Sequence, residues 1–170
     1  MNSLSKSNMI EPPQPSRVGL TIKRASPQNI PLIKSMVDSA YSKYIERIGK
    51  PPAPMSANYD EMLETHDIFM LQDDANETVG SIILSVDQNT HSVEINNLVV
   101  GPAAQGRGYG RVLLNCAEDV ARSENCSALT LYTNLKMHEN LAMYVKMGFV
   151  ETGRKTEDGF ERVYFRKDLN

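Results

Sequence analysis

The stretch Gln105-Gly106-Arg107-Gly108-Tyr109-Gly110 decides how the rest of the chain is read. It follows an apolar run at residues 93–100 and a Gly101-Pro102 break, and it leads into residues 111–120, whose pattern predicts a helix. A strand, a glycine loop and a helix in succession present bare backbone N–H groups to a phosphate. Glycines at alternate positions let the chain approach a ligand without Cβ clashes. A pyrophosphate is therefore expected here. Two familiar glycine loops do not fit. A Walker A loop ends in Gly-Lys-Ser/Thr, which is missing. The dinucleotide fingerprint Gly-x-Gly-x-x-Gly places its third position on Arg111 or on Leu113, depending on where it starts.

Toward the N-terminus, residues 67–72 and 78–86 read as strands. Asp73-Asp-Ala-Asn76 supplies turn chemistry between them, so a hairpin is expected. Ser26-Pro27 is a helix start, and Ile30, Ile33, Val37, Ala40, Tyr41 and Tyr44 recur at helical spacing. That helix is expected to run to Ile48 and stop at Gly49, with a shorter one over residues 55–66. Residues 19–24 make a first strand. Residues 1–18 are polar with three prolines and are expected to form a flexible tail, leaving 19–170 as a single domain.

Toward the C-terminus, the helix after the loop puts Leu113, Ala117, Val120 and Ala121 on one face. A strand at 128–133 and a helix at 139–147 ended by Gly148 follow. Strands at 149–154 and 160–166 close the chain, with 155–159 as the turn and Asp158-Gly159 as its hairpin signal. The order β-α-α-β-β-β-α-β-α-β-β argues an α/β (α+β) fold, a mixed sheet covered by helices.

At 170 residues the chain fits one domain with a sizeable core. A net charge of −3 gives no basic surplus for nucleic acid. No apolar run reaches membrane-spanning length and no signal peptide is evident, so a cytoplasmic location is expected. Cys116 and Cys126 lack metal or disulfide spacing and read as buried thiols. No metal is expected, since His66, His91 and His138 show no ligand spacing either.

The loop residues 105–110 resemble the acetyl-CoA loop of the GNAT N-acetyltransferase superfamily, Arg/Gln-x-x-Gly-x-Gly/Ala. Leu141-Ala-Met-Tyr-Val-Lys-Met-Gly-Phe149 is similar to that family's second signature, a Tyr-bearing helix closed by Gly-Phe. The two are correctly ordered, with a strand between them. The resemblance covers roughly residues 19–168. It implies a mixed, mostly antiparallel seven-stranded sheet splayed between strands 4 and 5. It also implies acetyl transfer from acetyl-CoA, as co-substrate, to a primary amine by direct attack in a ternary complex. Gln105, Gly106, Arg107, Gly108, Tyr109, Gly110 and Arg111 would hold the pyrophosphate, and Leu98, Val99 and Val100 the thioester and pantetheine arm. Tyr144 matches the general acid that protonates the leaving thiolate. Glu94 matches the general base of the superfamily's histone acetyltransferases, with a water relay as the alternative. By strand alternation Glu94 is expected to share a face with Asn96, Leu98 and Val100.

The chain also departs from the family pattern. Met137 stands where many members carry a CoA-binding Asn, leaving Asn134 or Asn140 as substitutes, with Asn140 preferred because it shares a helix with Tyr144. Tyr132 stands where the ribosomal-protein acetyltransferases carry a catalytic Glu. In the family the acceptor pocket lies between the first two helices and the final hairpin, which nominates Tyr44, Glu46, Arg47 and Phe160. The expected partner is a small amine, amino acid or peptide, with the protein a monomer or homodimer. The competing readings are a non-catalytic acyl-CoA sensor and an enzyme using a longer acyl chain.

Overall fold

A computed structural model describes residues 9–15 and 17–170. One seven-stranded sheet has the order β1-β2-β3-β4-β5-β7-β6, with β1 Thr21–Arg24, β2 Asp67–Gln72, β3 Thr78–Asp87, β4 Ser92–Val100, β5 Ala128–Asn134, β6 Val150–Glu157 and β7 Phe160–Asp168. All neighbours are antiparallel except β4 and β5. That parallel pair is joined only at Ser92–Glu94 against Ala128–Thr130. Beyond Glu94 the two strands part, and the sheet opens into a V.

Helices cover both faces. On one face α4 (Tyr109–Ser123) buries Val112, Leu113, Cys116, Ala117, Val120 and Ala121 against Leu71, Ile82, Leu84, Val93 and Ile95. On the other, α1 (Ile30–Tyr41) buries Ile33, Val37 and Tyr41 against Ile68, Met70, Ile83 and Val99. The long first helix expected from periodicity is broken: α1 ends at Tyr41 and a separate α2 spans Tyr44–Ile48, with Gly49 left-handed at its end (φ 92°). The expected helix over 55–66 is likewise split. A 3-10 turn covers Ala53–Ser56, and α3 (Tyr59–Thr65) starts afresh because the Asn58 side chain caps the Glu61 N–H at 3.1 Å. A final helix, α5, spans His138–Lys146. β6 runs three residues further than expected, so the last turn is only Asp158-Gly159, both at positive φ (52° and 79°). That is the two-residue geometry which matches strand twist. Both cysteines are free and buried. Among the described residues no helix is long and apolar enough to cross a membrane.

Two details position the site. First, the β3–β4 register shifts between Ile83, opposite Asn97, and Leu84, opposite Ile95. Asn96 is thus the extra residue of a β-bulge. Val93 and Ile95 pack on the α4 side, whereas past the bulge Leu98 and Val100 take that side and Val99 faces α1. The alternation argument for Glu94 is corrected accordingly. Glu94 keeps company with Asn96, whose amide donates to its carboxylate at 2.7 Å, but not with Leu98 or Val100. Second, Gly80 on β3 is pressed against β4 and α4. A Cβ there would lie 2.8 Å from the Val99 carbonyl oxygen and 3.1 Å from Leu113 Cδ1. Because the first obstacle is backbone, Gly80→Ala is expected to cost about 1–3 kcal/mol in urea unfolding. An unchanged midpoint would show that β4 yields at this point.

Candidate active site

The glycine loop lies at the mouth of the V. Gly106 and Gly108 are both left-handed (φ 83° and 82°), a region closed to most side chains. Gln105 and Gly106 form the middle of a hydrogen-bonded turn closed by the Arg107 N–H, whereas among the described residues no backbone partner is found for the N–H groups of residues 108–111. Gly108 is the N-cap of α4 and offers no side chain to satisfy them. A helix N-terminus with uncapped N–H groups is an anion site. Arg107 and Arg111 are exposed beside it, and Arg111 lines the adjoining cleft. Tyr109 is itself core, 7% exposed, so only its backbone serves the loop. Gln105 is exposed, and its amide donates to the Val100 carbonyl at 3.1 Å, tying the loop to the strand end.

A third arginine escaped the sequence reading. Arg17 donates to the Arg107 carbonyl at 2.5 Å, and its guanidinium stacks 5.1 Å from the Tyr109 ring centroid. No sequence signal points to it, because its partners lie some ninety residues away.

Two clefts meet inside the V. The first, about 390 Å³, is lined by Leu98, Val99, Val100, the loop residues Gln105, Gly106, Gly108, Tyr109 and Gly110, and Met143 of α5 with Met147 just past its end. The second, about 180 Å³, lies between the proline loop (Pro52, Pro54), Tyr59 and Met62, the parted edges of β4 and β5, and Phe160 and Arg162 of the last hairpin. Tyr41, Leu98, Asn140 and Tyr144 line both. This junction is where two ligands would touch.

Each junction residue is held in place. The Tyr41 hydroxyl donates to the Leu98 carbonyl at 3.1 Å, and burial pushes its pKa up to about 12. Gly101 N–H pairs back to Val79 on β3, so the alternation of the ladder turns the backbone groups of Leu98 and Val100 toward the opening. Tyr144 is 6% exposed and wedged edge-on against Phe149 at 5.6 Å. Burial, then the neighbouring Tyr41, raises its pKa well above that of an ordinary phenol. Asn140 donates to Met137 Sδ at 3.7 Å, and Met137 is buried.

The remaining nominated residues are placed as follows. Asn134 lines only the second cleft, and its side-chain oxygen caps the Lys136 N–H at 2.9 Å. Tyr44 lines the first cleft rather than the second, with its hydroxyl donating to Glu139 at 3.3 Å. Arg47 and Glu46 line neither. Arg47 makes a two-pronged pair with Glu139, both bonds at 3.0 Å, tying α2 to α5 and holding the Glu139 carboxyl down at about 2. Glu94 also lies outside both clefts, in a shallow depression on the helix-free face of β5 and β7 with Thr130, Tyr132, Tyr164 and Arg166. Burial holds its carboxyl above the ordinary range, against the opposing Asn96 amide. Tyr132, which also lines the second cleft, stands between.

Residues 33–149 match the model of the acetyltransferase (GNAT) family. The chain belongs to this family. An IAA acetyltransferase of Azospirillum brasilense is 33% identical over 85 residues, 50% of this chain and 56% of that protein. A mycothiol acetyltransferase of Jonesia denitrificans is 34% identical over 76 residues, 45% of this chain and 24% of that protein. The matches thus span about half of the first relative and a quarter of the second. Among solved structures, the ribosomal-protein-S18-alanine N-acetyltransferase from Escherichia coli superposes with a TM-score of 0.70 at 18% identity, covering 89% of this chain and 94% of that one. At that identity the likeness is one of fold. The seven-stranded sheet with a parted β4–β5 pair is the GNAT arrangement expected from the loop and the Tyr-bearing helix.

Proposed function

We propose that this GNAT chain is an N-acetyltransferase that moves an acetyl group from acetyl-CoA to a primary amine, with both bound at once. The observation that carries the reading is the junction of two clefts at Tyr41, Leu98, Asn140 and Tyr144, one cleft ending at the uncapped glycine loop. The N–H groups of residues 108–111, without a backbone partner among the described residues, and Arg111 suit the pyrophosphate, and the β4 edge beyond Glu94 suits the amides of the pantetheine arm. When bound, acetyl-CoA supplies an activated acyl carbon joined to a thiol leaving group. The second cleft positions the amine nitrogen against that carbon, so the C–N bond forms as the C–S bond breaks, and much of the rate comes from holding the two together. A Leu98 or Val100 N–H facing the opening stabilises charge gathering on the acyl oxygen. The Tyr144 hydroxyl gives its proton to the departing sulfur and is reprotonated from solvent.

The amine's proton leaves through water in the second cleft, since Glu94 lies outside it. Thiol release from acetyl-CoA with an amine panel, together with calorimetry of acetyl-CoA binding, tests the reading; a folded protein that binds no acetyl-CoA rejects it. Glu94→Gln is expected to keep turnover within about threefold, because general bases are worth roughly a hundredfold or more. A hundredfold loss with a flattened acid limb would restore Glu94 as base. The stability of the variant has a defined sign. Burial favours the neutral carboxyl, so the contribution of Glu94 is full below its unfolded pKa and lost as pH rises through the raised folded value. Gln mimics the neutral form, and the variant should be no less stable at neutral pH.

A further inference from the structure

The second cleft is short of one kind of charge. Its walls are largely apolar, with Pro52, Pro54, Tyr59, Met62, Leu131 and Phe160, and its polar lining is otherwise asparagine, threonine and tyrosine. Arg162 is the one charged side chain lining it among the described residues. Among the described residues no carboxylate lines the space; Glu157 and Asp158 stand beside Arg162 but outside the lining, so a polyamine would meet the cation first.

Arg162 is also a cation with room for a partner. Its side chain is only 11% exposed. The guanidinium lies over the Tyr132 ring, 4.4 Å from the centroid, a stack that leaves its in-plane edge open to polar contacts, of which the Tyr164 hydroxyl takes one. Its own carboxylate neighbours, Glu157 and Asp158, stand off at 3.9 and 3.6 Å, beyond hydrogen-bond length. By contrast, Arg154 and Arg47 reach their partners at 2.9 and 3.0 Å. The Glu157 carboxylate is further engaged by the Tyr164 hydroxyl. A sheltered cation with only loosely held counter-ions is incompletely compensated. At the outer wall, Lys50 Nζ sits 4.1 Å above the Phe160 ring and adds a second cation at the hairpin tip.

We infer that the acceptor is an apolar or aromatic primary amine that also carries a carboxylate, and that Arg162 binds that carboxylate. The inference rests on the acyl-transfer reading above. Such a ligand places its amine at the Tyr144 end of the cleft and its carboxylate on the guanidinium fork, replacing the distant Glu157 and Asp158 pairs. Its apolar body fills the space between the proline loop and Phe160.

The test compares matched probes on the unaltered protein: 6-aminohexanoate against its methyl ester, and L-phenylalanine against its amide, with spermidine as the polycation. Thiol release from acetyl-CoA is the readout, and calorimetry measures acetyl-CoA binding separately. At least one free acid is expected to exceed its uncharged partner roughly tenfold or more in kcat/KM, with spermidine below both. Arg162→Gln should collapse that acid-to-neutral ratio toward one while acetyl-CoA affinity holds, and Arg162→Lys should retain part of it. Equal rates for acid and neutral partner, a ratio that survives Arg162→Gln, or preference for spermidine would overturn the inference. So would a protein that binds acetyl-CoA yet turns over neither free acid. Failure to bind acetyl-CoA would instead remove the acyl-transfer reading on which it stands.

Discussion

Gly108→Asp is expected to abolish acetyl-CoA binding in a protein that stays folded. The position is left-handed (φ 82°), and Asp tolerates that region better than most residues. Space is available too: a Cβ there would meet only Arg17 Nη1, at an ordinary 3.5 Å. Position 108 is the N-cap of α4, so the new carboxylate sits beside the N–H groups of the first turn, where a negative charge suits the helix dipole, and it could pair with Arg17. Helix stability is therefore expected to hold while the anion site gains a covalently attached anion. The bound pyrophosphate would lose its charge-assisted hydrogen bonds and face a like charge. Losing two such bonds is worth about 3 kcal/mol or more, at least a hundredfold in affinity. Gly108→Asn adds a side chain of the same size without the charge and should fall between the two. Calorimetry with acetyl-CoA beside a thermal melt gives the answer: native-like melting with unchanged affinity would remove the loop from donor binding.

Tyr144→Phe should lower turnover by roughly a hundredfold, with acetyl-CoA affinity intact. The ring is a packing element, set against Phe149 at 5.6 Å and Phe165 at 6.0 Å, and phenylalanine preserves both contacts. What is lost is a hydroxyl at the junction of the two clefts. Its raised pKa, from burial first and the neighbouring Tyr41 second, keeps that hydroxyl protonated across the neutral and mildly alkaline range. A general acid must hold its proton until the sulfur departs, so any alkaline limb that belongs to Tyr144 lies above the usual phenol range and is missing from the variant. Wild-type turnover in Tyr144→Phe would leave the ring a purely structural role.

The elements were legible wherever one local pattern sufficed. The glycine loop, the amphipathic face of α4, the Asp158-Gly159 turn and the Gly148 stop each follow from neighbouring residues and backbone sterics. Boundaries drifted where a competing local signal intervened, as at Asn58, whose capping side chain restarts a helix that periodicity alone would have run through. The acceptor side was harder to read. Tyr44 and Arg47 have the chemistry of ligand contacts, yet both are engaged by Glu139, some ninety residues away. Tyr41 and Arg162, which do line the second cleft, look in sequence like ordinary helix and strand positions.

By itself the sequence determined the glycine loop at the head of α4, and with it the proposal of a phosphate cradle, because such a cradle is built from consecutive backbone N–H groups and needs only glycines in the right places ahead of a helix. The tertiary structure decided the rest. One extra residue at Asn96 flips the outer half of β4, and so sends Glu94 to the helix-free face while turning Leu98 and Val100 toward α4. The parting of β4 from β5 after Glu94 then creates the space that Tyr41, Tyr144 and Arg162 share. A bulge and a splay are properties of strand pairing, set by packing between segments far apart in the chain, and no local period records them.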